Sequence, residues 1–220
     1  MLEHVPVESA LDAGCGAGGW LATLQQLGVD DFVGIDGAYL DRATLEIPPE
    51  HFLALDLVEP FDLGRGFDLV LSLEVAEHLP AAAADGFVAS LVRHAPVVLF
   101  SAAVPHQPGI GHVNAQWPDY WAAKFAVHEY VPVDNVRPSV WADPSVEPWY
   151  AQNTLLFAHE KQVPESLGQY VVRDPGRLPI VHPWFFESAM PLPVSRRRLL
   201  LEGLVGVEAA TRVRRRLGRA

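Results

Sequence analysis

The chain has 220 residues and a mass of 24.1 kDa, the size of one globular domain with a small appendage. Half the residues are apolar, which excludes a disordered chain; no apolar run reaches the roughly 20 residues of a membrane helix, and a single cysteine, Cys15, excludes an internal disulfide or a cysteine-cluster zinc site. The net charge is −11 although eight arginines face only Glu202 and Glu208 in residues 195–220, so the remaining body is too acidic to be drawn to DNA by its general field.

Over the first hundred residues short apolar runs alternate with helix-like stretches, the pattern of a parallel α/β sheet. Strands are predicted at Val7–Ala13, Phe32–Ile35, Phe52–Leu55, Phe67–Leu73 and Val97–Ala102. Helices are predicted at Gly19–Leu27, Leu40–Leu45 and Ala81–His94, with a short turn near Pro60–Leu63. Connections this short and regular favour a doubly wound sheet with its ligand crevice at the carboxyl ends of the strands. The character then changes, because residues 103–194 hold 13 of the 19 prolines and five of the six tryptophans. Gln116–Val127 predicts a helix with Pro118 in its first turn, where proline is tolerated. Tyr130–Trp141 and Gln152–His159 predict two late strands forming an antiparallel hairpin. The expected organisation is one domain over 1–194, with a substrate-covering insert near 103–150, followed by a basic tail over 195–220.

Leu11-Asp-Ala-Gly-Cys-Gly-Ala-Gly-Gly-Trp20 follows the first strand and opens a helix. Gly14, Gly16 and Gly19 satisfy the dinucleotide fingerprint by spacing. Asp12 argues against that reading, since a carboxylate here repels a pyrophosphate and suits a cation such as an ammonium or a sulfonium. Asp36, closing the second strand, is placed to chelate ribose hydroxyls, and Asp56, closing the third, to accept from an adenine amino group.

These four elements, Asp-x-Gly-x-Gly-x-Gly, Gly-Ile-Asp, Leu-Asp-Leu and Phe67-Asp-Leu-Val-Leu-Ser-Leu-Glu-Val-Ala-Glu-His-Leu79, resemble the class I S-adenosylmethionine-dependent methyltransferases in order and spacing. The resemblance implies a Rossmann-like α/β fold, a mainly parallel seven-stranded sheet with helices on both faces. It also implies S-adenosylmethionine as cofactor. Asp12, Gly14 and Gly16 would hold the methionine end, Asp36 the ribose and Asp56 with the Leu57 backbone the adenine, and Gly37 and Leu73 complete the expected cofactor set. The family usually has a helix or two before the first strand, and only about ten residues precede it here. Cover for the cofactor is therefore expected from the Pro/Trp-rich segment.

Glu74, Glu77 and His78 are spaced i, i+3, i+4, which on a helical turn puts them on one face at the crevice mouth. Mixed oxygen and nitrogen donors suit Mg²⁺ or Mn²⁺. The Glu-x-x-Glu-His element resembles that of the metal-dependent small-RNA 2′-O-methyltransferases and the ubiquinone-pathway O-methyltransferases, which implies a later histidine, here His112, as fourth ligand. The same residues serve helix capping and cofactor packing in many metal-free methyltransferases. His78 and His106 are the candidate bases if they are not ligands.

Gly111-His-Val-Asn-Ala-Gln-Trp-Pro-Asp-Tyr-Trp121 resembles small actinobacterial carbohydrate O-methyltransferases of the methylmannose-polysaccharide type. Asn114 and Gln116 offer amides for hydroxyls, and Trp117 and Tyr120 offer faces for a sugar ring. Trp121, at helical spacing, reads equally as a core residue. The expected reaction is O-methylation of a saccharide or other small sugar-containing acceptor. RNA 2′-O-methylation, catechol-type O-methylation and a catalytically silent cofactor-binding subunit are the alternatives, with RNA disfavoured by the acidic body. The start, Met1-Leu-Glu-His-Val-Pro6, has no secretory pattern, so the cytoplasm is expected, without stable membrane insertion. The arginine-rich tail reads as a solvated or packing helix, with a homodimer arm or an anionic partner as alternatives.

Overall fold

The computed structural model describes residues 5–189. These fall into two units, one ending at His182 and one beginning at Pro183. The basic tail expected over 195–220 lies outside the described residues.

In the first unit, β1 (Ser9–Ala13), β2 (Asp31–Asp36), β3 (Phe52–Ala54), β4 (Leu69–Leu73), β5 (Val97–Ser101), β6 (Tyr130–Val133) and β7 (Leu155–His159) form one sheet in the order β3-β2-β1-β4-β5-β7-β6. β1 to β5 pair in parallel, and β7 runs antiparallel to both β5 and β6. β4 and β5 are buried along their whole length, as strands covered on both faces must be. On one face α2 (Ala84–His94) and α3 (Pro118–Ala126) cover Val70, Val98, Phe100 and Phe157 with Phe87, Leu91, Trp121 and Phe125. Phe125 stacks on Phe157 with ring centroids 4.0 Å apart, adding about 1 kcal/mol to simple burial. On the other face α1 (Gly19–Gln26) buries Leu21 and Leu24 against Phe32, Leu69 and Leu71. The parallel seven-stranded Rossmann-like sheet is the one expected, with the β6–β7 hairpin antiparallel at its edge.

Several local readings need correction. Leu40–Leu45 is no helix but a single 3₁₀ turn, Arg42–Thr44, capped by Asp41, which accepts from the Ala43 N–H. The turn placed at Pro60–Leu63 lies one step earlier, where Asp56 accepts from the Val58 N–H. Tyr130–Trp141 is a strand only to Val133 and then becomes α4 (Val136–Val140). There the buried Arg137 guanidinium is held by Asp134 and by the Leu178 carbonyl, contacts made from the helix and not from a strand. Gln152 and Asn153 belong to α5 (Pro148–Asn153), not to the strand that follows.

The second unit is described over one helix, α6 (Pro183–Ala189), whose Trp184 and Phe185 rings meet edge to face at 5.0 Å. Among the described residues no helix is long and apolar enough to cross a membrane.

Candidate functional site

The carboxyl ends of β1 to β4 open into a cavity of about 680 Å³. Gly14, Gly16, Asp36, Gly37, Asp56 and Leu57 line it, six of the eight residues expected to bind a cofactor. Gly14 has φ +93, and a Cβ there would overlap the Val75 side chain, so close packing as well as backbone conformation requires glycine. Asp36 organises the wall. Its carboxylate accepts from the Gly16 N–H at 2.8 Å, the Gly37 N–H at 2.6 Å and the Tyr39 hydroxyl at 2.5 Å. Around the loop, the Gly14 and Cys15 N–H groups donate to the Ile35 carbonyl and the Gly18 N–H to the Cys15 carbonyl. Four amides that could cradle a phosphate are thus spent inside the protein.

Asp12 and Leu73 are not on the wall. Leu73 is buried in β4, and Asp12 is buried beneath the loop with Oδ2 unpartnered. Burial, reinforced by the Asp36 charge, pushes the Asp12 carboxyl from its ordinary 3.8 up to about 7. The fold therefore favours the neutral acid, and the stability this confers is fully present below pH 3.8 and lost as pH rises through about 7. Asp12→Asn, neutral at every pH, should melt at higher temperature than wild type above about pH 7 and converge with it below pH 3.8. Thermal melts across that window check the sign.

The acidic–histidine cluster departs from its expected form. Glu74 precedes the 3₁₀ turn Ala76–His78 in left-handed backbone, φ 55, so the helical-face geometry inferred from spacing does not apply to it. Such a conformation costs a non-glycine residue on the order of 1–3 kcal/mol. It is held by the Glu74 N–H donating to Ser101, and by two amides donating to its carboxylate, Gln107 at 2.7 Å and Asn153 at 3.1 Å. The donor atoms that do converge are those of Glu77, His78 and His112, which lie within 4.8 Å of one another. His112 reaches the group because the Val113 and Asn114 N–H groups both donate to the Glu77 carbonyl at 2.9 Å. Its imidazole lies where a Cβ on Gly109 would be, so a side chain there would displace the ring.

Glu77 is fully buried with both carboxylate oxygens unpartnered, and the His112 Nδ1 is unpartnered too. Burial, with the Glu74 charge second, pushes Glu77 up to about 8, and burial also raises Glu74. Burial and the neighbouring His78 lower His112, favouring its neutral, ligating form. A buried Glu77 carboxyl with neither oxygen hydrogen-bonded, beside a neutral His112 imidazole, forms a site that a proton or a divalent cation would satisfy.

His78 is exposed and lines both the cavity and the cluster, with Nδ1 3.3 Å from the Gly111 carbonyl oxygen. His106 is exposed in left-handed backbone, φ 70, outside the converging group. Of the expected acceptor-binding residues, Asn114 is buried and accepts from the Gln116 amide, leaving its own Nδ2 unpartnered. Trp117 is half-buried, and Tyr120 packs on Trp121 with the Lys124 ammonium over its ring. Trp121 is a core residue. Gln107 and Asn153, which fix Glu74, were not singled out from sequence. Gln107 lies inside the expected substrate-covering insert near 103–150, but nothing local marks Asn153.

Residues 11–95 match the family model described as a methyltransferase domain. No curated protein matches the chain. Among solved structures, the sugar N-methyltransferase KedS8 from Streptoalloteichus sp ATCC 53650 is 19% identical, with a TM-score of 0.56 over 72% of this chain and 83% of that one. CalS10, an amino pentose methyltransferase from Micromonospora echinaspora solved with S-adenosylmethionine bound, is 17% identical, with a TM-score of 0.51 over 70% of this chain and 84% of that one. The small RNA methyltransferase HEN1 is 18% identical, with a TM-score of 0.51 over 72% of this chain but only 24% of HEN1. At these identities the likeness is one of fold. Residues 11–95 thus match a methyltransferase domain, and the seven-stranded sheet around them has the α/β Rossmann-like methyltransferase fold.

Proposed function

We propose that the protein is an S-adenosylmethionine-dependent O-methyltransferase acting on a hydroxyl of a saccharide or sugar-containing metabolite, with a divalent ion at Glu77, His78 and His112. The observation that carries the cofactor assignment is the glycine loop. Its Gly14, Cys15, Gly16 and Gly18 amides are bonded internally and its neighbours are carboxylates, which suits an adenosine sulfonium better than a pyrophosphate. The matched methyltransferase domain supports the same reading.

S-adenosylmethionine, when bound, supplies an electrophilic methyl group on a sulfonium. The chain's contribution is orientation. Asp36, already fixed by two backbone amides, presents its carboxylate to the ribose, with the Tyr39 hydroxyl giving way. Asp56 and Leu57 line the adenine end. A sugar hydroxyl is too weak an acid to attack unaided near neutrality, and a divalent ion at the cluster would lower its pKa and align a neighbouring hydroxyl. A sugar amine would need no such help, which favours oxygen over nitrogen as the acceptor atom. Without Glu74, one carboxylate and two imidazoles make a softer set than the two carboxylates and two imidazoles expected from sequence, and favour Mn²⁺ over Mg²⁺. With Nδ1 against the Gly111 carbonyl, the His78 Nε2 is the nitrogen available to bind the ion or, without one, to take the acceptor's proton.

Methyl transfer from labelled S-adenosylmethionine to a panel of neutral sugars, amino sugars, catechol and short RNA tests the acceptor. Label on a neutral sugar as an O-methyl ether is the expected product. Label confined to amino sugar nitrogen, catechol or RNA would reassign the acceptor, and no label on any member would favour a silent cofactor-binding subunit.

A further inference from the structure

Trp20 opens α1 directly after the glycine loop and is 41% exposed, while its neighbour Leu21 is fully buried. Its ring meets that of Tyr150 edge-on, with centroids 5.4 Å apart and planes at 89°. Trp149 lies beside Tyr150 at 6.2 Å, and both α5 aromatics are half-buried. Asn153 stands three residues after Tyr150 on the same helix, a spacing that shares a face, and its amide donates to Glu74. One short helix thus links the glycine loop to the buried carboxyl pair. β1 and β4, whose carboxyl ends carry the glycine loop and Glu74, are neighbours in the sheet. The ribose and adenine carboxylates Asp36 and Asp56 follow the other strands, β2 and β3. A cofactor held by Asp56 and Asp36 would turn its reacting end toward the carboxyl ends of β1 and β4, where the chain leads into Trp20 and Glu74.

The ligand chemistry follows from what surrounds these rings. Two aromatic rings stand one turn from the Asn153 amide that holds Glu74, so apolar faces lie beside a hydrogen-bonding edge. They suit a neutral ring with an apolar C–H face and hydroxyl edges. We infer that Trp20 and Tyr150 form the stacking wall of the acceptor subsite, taking the apolar face of a pyranose-type ring whose neighbouring hydroxyls reach the Glu77–His78–His112 cluster. This rests on the methyltransferase reading above and names its acceptor subsite.

The test uses the full chain with S-adenosylhomocysteine bound and follows the Trp20 indole N–H by two-dimensional NMR, assigned through its loss in Trp20→Phe. Methyl α-mannopyranoside, catechol and a short single-stranded RNA are the probes. The pyranoside should shift the Trp20 signal saturably. Trp20→Ala and Tyr150→Ala should each weaken pyranoside binding about fivefold, and S-adenosylhomocysteine affinity by calorimetry should stay within about twofold. A bound pyranoside that leaves Trp20 unmoved, no pyranoside binding at all, or a shift caused only by catechol or RNA overturns the subsite. An equal loss of S-adenosylhomocysteine affinity in the variants overturns it by giving the pair to the cofactor. The wild-type titration stands even if a variant fails to fold. Wild-type protein that binds no S-adenosylhomocysteine overturns the cofactor reading and the subsite with it, whereas binding without a Trp20 shift overturns the subsite alone.

Discussion

Exchanging Glu77 for alanine is expected to lower turnover at least about a hundredfold while leaving S-adenosylhomocysteine affinity within about twofold. The carboxylate is fully buried with neither oxygen partnered, and it stands within 4.8 Å of the His78 and His112 donor atoms. Removing it takes away the one anionic donor of the converging group and leaves two imidazoles, too few to hold a hard ion. The cavity wall of Asp36, Asp56 and the glycine loop is not touched. EDTA should reproduce the loss on the wild-type chain, and Mn²⁺ should restore activity more fully than Mg²⁺. Glu77→Gln keeps the shape and removes the charge, so it should behave like alanine. Acceptors lacking the neighbouring hydroxyl should react poorly. Full activity in Glu77→Gln together with indifference to EDTA would make the cluster structural and leave His78 as a metal-free base.

Asp36→Ala should weaken S-adenosylhomocysteine binding more than tenfold, read by calorimetry. Two losses add. The ribose hydroxyls lose a charged acceptor, and hydrogen bonds to charged groups are worth about 1.5–3 kcal/mol each. The glycine loop also loses its anchor, because Asp36 receives the Gly16 and Gly37 N–H groups. Tyr39→Phe removes only the hydroxyl that occupies the same carboxylate oxygen, so it should bind as tightly as wild type or more so. An Asp36→Ala affinity within twofold of wild type would remove Asp36 from the cofactor site.

The central sheet and the acidic lining of the cavity were legible because each depends on neighbours in sequence. Apolar runs of strand length predicted β1 to β5, and acidic residues at strand ends predicted Asp36 and Asp56. The acidic cluster was legible in composition but not in geometry. Spacing of i, i+3, i+4 brings side chains together only on a continuing helix, and Glu74 sits in left-handed backbone ahead of a single 3₁₀ turn. Its partners Gln107 and Asn153 come from 33 and 79 residues away, a pairing that only the tertiary fold creates. His112 was legible as a candidate, but the backbone bonds from Val113 and Asn114 that carry it to Glu77 were not. The Trp20–Tyr150 contact was anticipated only as a need. A late Pro/Trp-rich segment was expected to reach the cofactor, and α5 does reach the helix that opens after the glycine loop.

Calorimetric titration of the wild-type chain with S-adenosylhomocysteine and, separately, with NAD tests the central claim most directly. The internally bonded glycine loop and its carboxylates predict saturable S-adenosylhomocysteine binding at one site per chain and no comparable heat from NAD. Tight NAD binding with no response to S-adenosylhomocysteine would mean that the loop frees its amides for a pyrophosphate, and would contradict the methyltransferase assignment.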